Sequence, residues 1–395
     1  MTKSSASPYS LNAITIGCLA AFVGFASSFA VVLQGLKGVG ATVEQAASGL
    51  MVAAIAMGLC GIVLSLHSRI PVSAAWSTPG AALLATATVP AGGFSEAVGA
   101  FLVCGVLIII TGLFKSFGRV VAAIPTPLAS AMLAGILLSL CLAPIKAIAF
   151  DPLLGLPILA AWVVGGQINK LLAVPFALLA FAAVVVFGVP FPDDWTARFS
   201  AGVIIVPEWV TPTFTLASTL GIALPLFVVT MASQNIPGLA VLAANNYKPN
   251  AGPLLATTGV FSFLGAPFGS HAVNLAAITA AMLTGSDVSE DKDKRYGAAV
   301  VCGIGYIVFG LTAGLTTAFV SLAPAILIEA VAGLALIAAF STAALAAFSD
   351  EEARMPAAIT FLASASGISI AGVSGAFWGL LAGWLILWSL QTFKR

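Results

Sequence analysis

A histidine stands beside a helix breaker inside one of the most apolar parts of this chain. The stretch FLGAPFGSHAVNLAAIT (263–279) holds His271, one of only 2 histidines in 395 residues, directly after a proline, a glycine and a serine. An unperturbed imidazole titrates at about pH 6.5, so it can gain or lose a proton near neutrality. His271 is therefore a candidate ligand-binding or proton-carrying residue. The alternative is a neutral histidine that joins two segments by hydrogen bonds.

The composition indicates a membrane protein. Hydrophobic residues make up 60% of the chain, charged residues 7%, and the mean hydropathy is +1.12. A soluble domain carries about 25% charged residues, so no room is left for a sizeable water-soluble domain. The apolar runs are long, as in helical membrane proteins, whereas a β-barrel shows short alternating segments. The lipid bilayer is the expected partner, and a net charge of +1 without a basic stripe gives no sign of nucleic-acid binding.

Apolar runs of the length that crosses a bilayer, about 20 residues, recur along the chain. They lie near 11–33, 43–66, 70–88, 94–114, 119–142, 147–167, 171–190, 213–243, 250–266, 268–284, 295–319, 322–348, 354–369 and 371–392. The sequence thus predicts an all-α polytopic membrane protein with 14 segments. Seven of them fall in 1–192 and seven in 213–395, and the polar stretch 193–212 is predicted to be a periplasmic connection.

The basic residues predict the orientation. With a cytoplasmic N-terminus, 12 of the 15 lysines and arginines fall in inside segments. The other 3 are Lys37, Lys146 and Arg198. Cytoplasmic segments of membrane proteins carry an excess of such residues, so both termini are predicted to be cytoplasmic.

Segments three and ten are short and interrupted by Pro and Gly at corresponding places of the two halves. Fragments of the two halves resemble each other in the same order: FVGFASS (22–28) and FVVTMASQ (227–234), PVSAAWS (71–77) and PFGSHAVN (267–274), AMLAGILL (131–138) and EAVAGLAL (329–336). An odd number of spans in each copy forces the second copy to be inverted. Inverted repeats with interrupted helices at matching positions are typical of secondary transporters that bind substrate at the bilayer midplane.

Four strings carry a resemblance to a known family. They are SAAWSTPGAALLAT (73–86), ASQNIPGLAVL (232–242), LGAPFGSHAVNLAAITAA (264–281) and FWGLLAG (377–383). The chain resembles, end to end, the benzoate:proton symporters of bacterial inner membranes, which are similar in architecture to the uracil and xanthine permeases. The resemblance implies two inverted repeats, a core and a gate domain, and a short strand plus a half-helix in segments three and ten. It also implies uptake of benzoate with a proton, no cofactor, and a homodimer.

The residues at the implied site favour an anionic substrate. Nucleobase permeases have carboxylates on segments eight and ten, but this chain has Ser233-Gln234-Asn235 and Gly269-Ser270-His271 there. A fixed carboxylate would repel a carboxylate ligand strongly at low dielectric. A nucleobase or other small organic anion permease of the same fold remains the alternative.

Half-helices that begin near Ser73 and Ser270 would direct two N-termini, with their free N–H groups and positive dipole ends, at one anion. A break in the eighth helix is predicted at Pro237-Gly238. Predicted substrate contacts are Ser27, Ser28, Ser73, Trp76, Ser77, Thr78, Gln234, Asn235, Gly269, Ser270, His271 and Asn274. The alternative for the polar side chains is helix capping. Trp76 is expected either to stack on an aryl ring or to pack in the core.

Glu329, in APAILIEAVAG, is interpreted as an acid inside an apolar run and joins His271 as a candidate for proton coupling. The alternative is a neutral acid bonded to a backbone carbonyl. His67 is predicted to lie at the surface. The cysteines have no metal-ligand spacing, so packing thiols and no metal site are expected. GVSG (372–375) has no histidine after it, which disfavours a serine protease, and the chain is predicted not to be an enzyme.

Overall fold

The computed structural model describes residues 7–114, 124–191, 193, 195–196, 199–200, 205–371 and 373–393. Helices dominate because a bilayer core offers no water to backbone N–H and C=O groups, which must bond within their own segment. Within the described part of the chain, 9 helical stretches are long and apolar enough to cross a membrane. This agrees with a mostly helical polytopic membrane protein. The count of 14 segments in two inverted repeats stays a prediction.

The first half of the chain alternates long helices with one short interrupted element. Its elements are α1 (Leu11–Ala26), α2 (Phe29–Gly38), α3 (Val43–Ser68), β1 (Ala74–Trp76), α4 (Thr78–Thr86), α5 (Phe94–Leu113), α6 (Thr126–Cys141), α7 (Ala143–Phe150), α8 (Pro152–Ile168) and α9 (Ala173–Gly188). Local capping sets several starts. Thr42 and Gln45, for example, bond each other's backbone N–H at the start of α3, which satisfies donors that a helix leaves free.

The second half has a similar order of elements. They are α10 (Leu216–Ala244), α11 (Ala251–Gly265), β2 (Val273–Leu275), α12 (Ile278–Leu283), α13 (Tyr296–Leu311), α14 (Ala313–Val320), α15 (Ala325–Phe348), α16 (Arg354–Ala365), β3 (Ser369–Ile370), β4 (Val373–Ser374) and α17 (Gly375–Phe393). Each half thus places a three-residue strand directly before a short helix.

The predicted break of the eighth helix at Pro237-Gly238 is wrong. Helix α10 runs through both residues, and the second of its two π-helical turns, Met231–Asn235, lies just before them. A proline inside a helix lacks an N–H and its ring clashes with a carbonyl of the preceding turn. The wide π turn relieves this conflict, because Pro237 falls in the first turn of the α-helical part that follows.

The two half-helices begin later than predicted. The chain is extended after Ser73 and after Ser270, and α4 and α12 start at Thr78 and Ile278. Ser77 fixes the first start, because its side chain accepts a hydrogen bond from the N–H of Gly80 and a proline follows in the first turn. Because backbone polar groups at membrane depth need partners, the two extended stretches pair with each other.

Packing divides the helices into two bundles. In the first bundle, α3 packs against α13 and α5 against α11; in the second, α6 packs against α15, α8 against α9 and α16 against α17. Small residues allow close approach of membrane helices. A Cβ added to Gly58 on α3 would lie 2.5 Å from the carbonyl oxygen of Gly303 on α13, so this crossing tolerates no larger residue.

The predicted connection between the halves contributes an irregular strap, residues 205–212, to the first bundle. The backbone N–H of Val210 donates to the carbonyl of Pro267 at 2.8 Å. The N–H of Glu208 donates to Ser48 Oγ at 2.8 Å, and Gln45 Nε2 donates to the Glu208 carboxylate at 3.1 Å. The strap therefore ties α3 to the chain that leads into β2.

Candidate substrate site

The candidate site is built around an antiparallel pair of strands from the two halves. Ala75 of β1 lies opposite Asn274 of β2, with Ala74 opposite Leu275 and Trp76 opposite Val273. The pairing brings the starts of α4 and α12 to the same region of the first bundle. The site residues predicted on segments three and ten therefore lie together.

The side chain of His271 joins the two halves. Its Nε2 lies 3.1 Å from the backbone carbonyl oxygen of Ser77. A carbonyl only accepts, so Nε2 carries the hydrogen and donates. The ring is 1% exposed, and its Nδ1 is buried without a hydrogen-bond partner among the described residues. The ring thus has one bonded edge and one free acceptor nitrogen.

Two buried asparagines connect the eighth segment to β2. Asn235 Oδ1 accepts a hydrogen bond of 3.0 Å from the backbone N–H of Leu275, and its Nδ2 donates to Asn274 Oδ1 at 3.3 Å. Asn274 Nδ2 donates in turn to the carbonyl of Ala272 at 3.1 Å. Both side chains are 0% exposed. The amides therefore satisfy the backbone at a strand edge that would otherwise be unpaired.

Buried hydroxyls complete this network. Ser73 Oγ and Thr279 Oγ1 lie 2.7 Å apart, linking the start of β1 to α12. Ser77 Oγ accepts from Thr230 Oγ1 at 2.9 Å and from the N–H of Gly80 at 3.0 Å. The hydroxyl of Ser270 donates to the His271 carbonyl at 3.2 Å. These hydroxyls hold the segments in place.

Trp76 is part of the core in this conformation. It is 1% exposed, and its Nε1 donates to Ser28 Oγ at 2.8 Å. Its ring lies 5.3 Å from the ring of Phe25 on α1. Ser28 and Trp76 thus connect the gap between α1 and α2 to strand β1.

Three of the predicted contacts are only half buried. These are Ser27, Thr78 and Gln234. Each directly follows or precedes a buried member of the network in the chain: Ser28, Ser77 and Asn235 respectively. The buried neighbour fixes the position of the backbone, and the half-buried side chain keeps part of its surface uncovered.

The two half-helices differ at their N-termini. The side chain of Ser77 caps α4, but no side chain caps α12, which follows Ala277. Ala277 is half buried and Ile278 is 68% exposed. The first N–H groups of a helix have no intrahelical partner. The start of α12 therefore offers backbone donors at an accessible place.

Gly269 acts through its backbone. It ends the 3₁₀ turn Ala266–Phe268 with φ +85°, a conformation that side chains disfavour. Gly49 of α3 packs against it, since a Cβ on Gly49 would lie 2.6 Å from the Gly269 carbonyl oxygen. Gly269 therefore turns the chain from α11 into the extended stretch before β2.

Glu329 is placed apart from this network. It lies half buried on α15, in the second bundle, and makes no hydrogen bond with the described residues. His67 is exposed, as predicted, and the five cysteines are free thiols. Among the residues that the structure describes, no three His, Cys, Asp or Glu side chains lie close enough to hold a metal ion.

Sequence reasoning missed three polar residues that the structure brings in. Thr230 and Thr279 bond Ser77 and Ser73. The signal for Thr230 is spacing, because it lies four residues before Gln234 on the same helix and so shares its face. Glu96 is 9% exposed in the first turn of α5. The glycines before it and the apolar run after it indicated a buried helix start.

The fold is similar to that of two membrane transporters of known structure. Over 96% of both chains, the structure is similar to the transmembrane domain of a cyanobacterium bicarbonate transporter, BicA, with a TM-score of 0.59 and 14% identity. It is also similar to the murine anion transporter Slc26a9 in the inward-facing state, with a TM-score of 0.57 and 12% identity over 100% of this chain and 70% of that one. The expected kinship with uracil and xanthine permeases stays a prediction.

Sequence comparisons also indicate a membrane transporter, and they identify the family. Residues 7–388 match the family described as "BenE: Benzoate membrane transport protein". The chain is 38% identical to "Inner membrane protein YdcO" of Escherichia coli (strain K12), over 93% of both chains. It is 32% identical to "Benzoate membrane transport protein" of Acinetobacter baylyi (strain ATCC 33305 / BD413 / ADP1), over 100% of this chain and 99% of that protein. The chain belongs to the BenE family, and it is a transporter and not an enzyme.

Proposed function

We propose that this protein imports benzoate together with a proton across the bacterial inner membrane, with both termini cytoplasmic. The observation that carries the proposal is the pairing of β1 with β2, which places a half-helix from each half of the chain at one site. The chain has no lysine or arginine in 70–114 or 249–291, the stretches that contain these elements. A carboxylate held there is stabilised by hydrogen bonds from uncharged donors and by helix dipoles.

The carboxylate of the substrate lies between the half-buried donors. Thr78 and Gln234 face it from the third and eighth segments, and the uncapped start of α12 adds backbone N–H groups. The buried residues Ser28, Ser73, Trp76, Ser77, Asn235, Ser270, His271 and Asn274 hold these donors in place. A hydrogen bond from a neutral donor to a charged acceptor contributes about 1.5–3 kcal/mol, so two or three suffice for binding.

We place the aryl ring in an apolar cavity that is lined by Phe25, the residue whose ring packs against Trp76. The cavity has a volume of about 560 Å³ and lies between α1, the start of α2, α9, α13 and α14. Phenylalanines dominate its lining: Phe22, Phe25, Phe29, Phe176, Phe181, Phe309 and Phe319. Aromatic pairs gain about 0.5–1.5 kcal/mol beyond burial of area. Because its walls come from both bundles, relative movement of the bundles changes its access, as alternating access requires.

The packing supports two inverted repeats of seven segments, with the first bundle as core and the second as gate. Helix α3 of segment two packs on α13 of segment eleven, and α11 of segment nine packs on α5 of segment four. Segments two and nine are counterparts in the two halves, and so are segments four and eleven. When each segment is replaced by its counterpart, the first pair therefore becomes the second. The same replacement exchanges β1 with β2 and so leaves the strand pair unchanged. An inverted repeat predicts this exchange symmetry.

Proton coupling is the second element of the proposal. His271 has a free buried acceptor nitrogen at the junction of the halves. Glu329 is half buried on α15 of the gate bundle. Ionisable residues inside a membrane protein commonly serve as proton carriers, and benzoic acid can also carry its own proton. Glu329→Gln is expected to abolish accumulation driven by a pH gradient, if this acid carries the proton.

The test is transport by the purified protein in proteoliposomes. Labelled benzoate is expected to exchange against internal benzoate and to accumulate when the outside is acidic. A protonophore should abolish the accumulation, which separates a symporter from a channel. Salicylate should compete, whereas uracil and sulfate should not. Exchange of uracil in place of benzoate would favour the alternative, a nucleobase permease, and reject benzoate import. Mass measurement in detergent tests the expected homodimer.

A further inference from the structure

A second, more polar cavity lies at the opposite end of α4 from the candidate substrate site. Its volume is about 200 Å³, and it lies between the chain after α4, the first turns of α5 and α10, and β4 of the second bundle. Its polar lining consists of Thr88, Glu96, Thr215, Ser218 and Ser374. Glu96 is the only titratable side chain among the lining residues. The positive-inside pattern predicts that this end faces the periplasm.

Glu96 is a buried carboxylate held by neutral donors. It is 9% exposed. Its Oε1 accepts from the backbone N–H of Gly92 at 2.9 Å, and its Oε2 accepts from Thr215 Oγ1 at 2.9 Å. No ion pair within the described ranges involves it. Burying a carboxylate without a cation costs free energy, so a role besides stability is indicated.

The hydroxyls around Glu96 can serve both of its protonation states. Thr215 Oγ1 lies 2.9 Å from Glu96 Oε2 and 2.8 Å from Ser218 Oγ. With Glu96 ionised, Thr215 donates its single hydrogen to the carboxylate. With Glu96 protonated, the carboxyl group donates to Thr215, and Thr215 turns its hydrogen to Ser218. A proton can therefore be taken up by rotation of one hydroxyl, with no displacement of a heavier atom.

We propose that the Glu96 cavity is a proton-binding site of the transport cycle, open to the predicted periplasmic side. The inference rests on the proposed function, proton-coupled anion import. Helix α4 has 9 residues and separates this cavity from the substrate site by about 14 Å, at 1.5 Å for each residue. An ionised Glu96 repels an anion at the far end of α4, and a proton on Glu96 removes that repulsion. Proton and anion therefore each favour the binding of the other.

The wall of the cavity links its access to the two bundles. Ser374 of β4, which leads into α17 of the second bundle, donates a hydrogen bond of 2.8 Å to the carbonyl of Gly221 in α10. This part of α10 packs against α5 of the first bundle, so the bond crosses between the bundles. Movement of one bundle relative to the other breaks this contact and changes the access of water to Glu96. A proton bound in one conformation is thereby kept from returning in the other.

The decisive variant is Glu96→Gln in proteoliposomes with labelled benzoate. Gln keeps the size of the side chain and imitates the protonated acid. We expect benzoate exchange at equal pH to persist, while accumulation under an acidic outside falls to the level without a gradient. Glu351→Gln is the matched control, because Glu351 is 87% exposed and forms an ion pair with Arg354 three residues on. Accumulation by Glu96→Gln equal to that of the wild type overturns the proposal.

A second variant decides the outcome if Glu96→Gln also loses exchange. Thr215→Val removes the donor that stabilises the ionised carboxylate, and Thr215→Ser retains it. The external pH dependence of uptake should change in the valine variant and not in the serine variant, since only the valine variant loses a charge-assisted hydrogen bond to Glu96. An unchanged pH dependence in the valine variant rejects the role of Glu96. Absence of benzoate exchange in the wild-type protein would instead reject the proposed substrate.

Discussion

The imidazole of His271 donates from Nε2 to the backbone carbonyl oxygen of Ser77, 3.1 Å away, and so ties the tenth segment to the third. The acceptor is the residue whose own side chain caps α4. One histidine thus fixes the position at which the half-helix begins. Its role in positioning can be separated from a role in proton transfer.

We expect His271→Ala to destabilise the fold by about 1–3 kcal/mol, because it leaves the buried Ser77 carbonyl without a donor. His271→Gln is the matched variant, since its amide can donate to the same oxygen but does not titrate. Thermal unfolding in detergent measures the first effect. If positioning is the role, His271→Gln restores benzoate exchange with the wild-type pH profile; an altered profile would assign the proton to this residue.

Gln234 and Asn235 are neighbours that should respond in opposite ways. Gln234→Ala removes a half-buried donor, so we expect benzoate affinity to fall about tenfold with little change in stability. Asn235→Ala leaves the N–H of Leu275 unbonded in the core and should destabilise the fold by about 1–3 kcal/mol. Binding calorimetry and thermal unfolding of both variants test this division. Equal loss of stability in the two would contradict it.

The contact between Trp76 and Ser28 can be measured by a double-mutant cycle. Trp76→Phe and Ser28→Ala each remove one side of a hydrogen bond of 2.8 Å between buried groups. We expect a coupling energy of about 0.5–1.5 kcal/mol in the free energy of unfolding. Strictly additive effects would show that the bond contributes nothing. A loss of benzoate affinity in Trp76→Leu that Trp76→Phe does not show would indicate ring stacking with the substrate.

Tyr247 lies in the loop after α10, and its buried phenol should make the stability of the fold fall at alkaline pH. Burial raises the pKa of its phenol above the usual 10.0, partly offset by the nearby Arg295. Its hydroxyl donates to the Lys292 carbonyl at 3.0 Å. Because the pKa is raised on folding, the contribution of Tyr247 is complete below pH 10 and is lost as the pH rises through the folded value. Tyr247→Phe should unfold with a smaller alkaline loss in melting temperature, and an identical slope would contradict this.

The sequence predicted the interrupted third and tenth segments because Pro and Gly mark them plainly. It placed the half-helix starts near Ser73 and Ser270, several residues too early, since the pairing of β1 with β2 is a contact between distant parts of the chain. The sequence predicts a break at Pro237-Gly238, whereas the helix continues through both residues after a π turn at Met231–Asn235. Helix propensity alone does not distinguish a π turn from the end of a helix, because the packing around Pro237 decides whether the helix continues.

Most of the predicted site residues do lie together, but burial divides them. Ser27, Thr78 and Gln234 are accessible, while Asn274 and His271 are sealed in the core. A polar residue type does not reveal on which side of a backbone it points. Glu96 was overlooked for a related reason, because part of its burial comes from Thr215, which is distant in sequence.

At three places in the site a buried residue is next to a half-buried one in sequence, and this has an evolutionary consequence. Ser28, Ser77 and Asn235 carry the bonds that keep the segments together, whereas Ser27, Thr78 and Gln234 have few bonds to lose. Selection for a new aromatic acid can therefore act on the latter three at little cost to folding. Substrate preference within the lineage should drift at these positions first, and libraries randomised there should yield many folded variants.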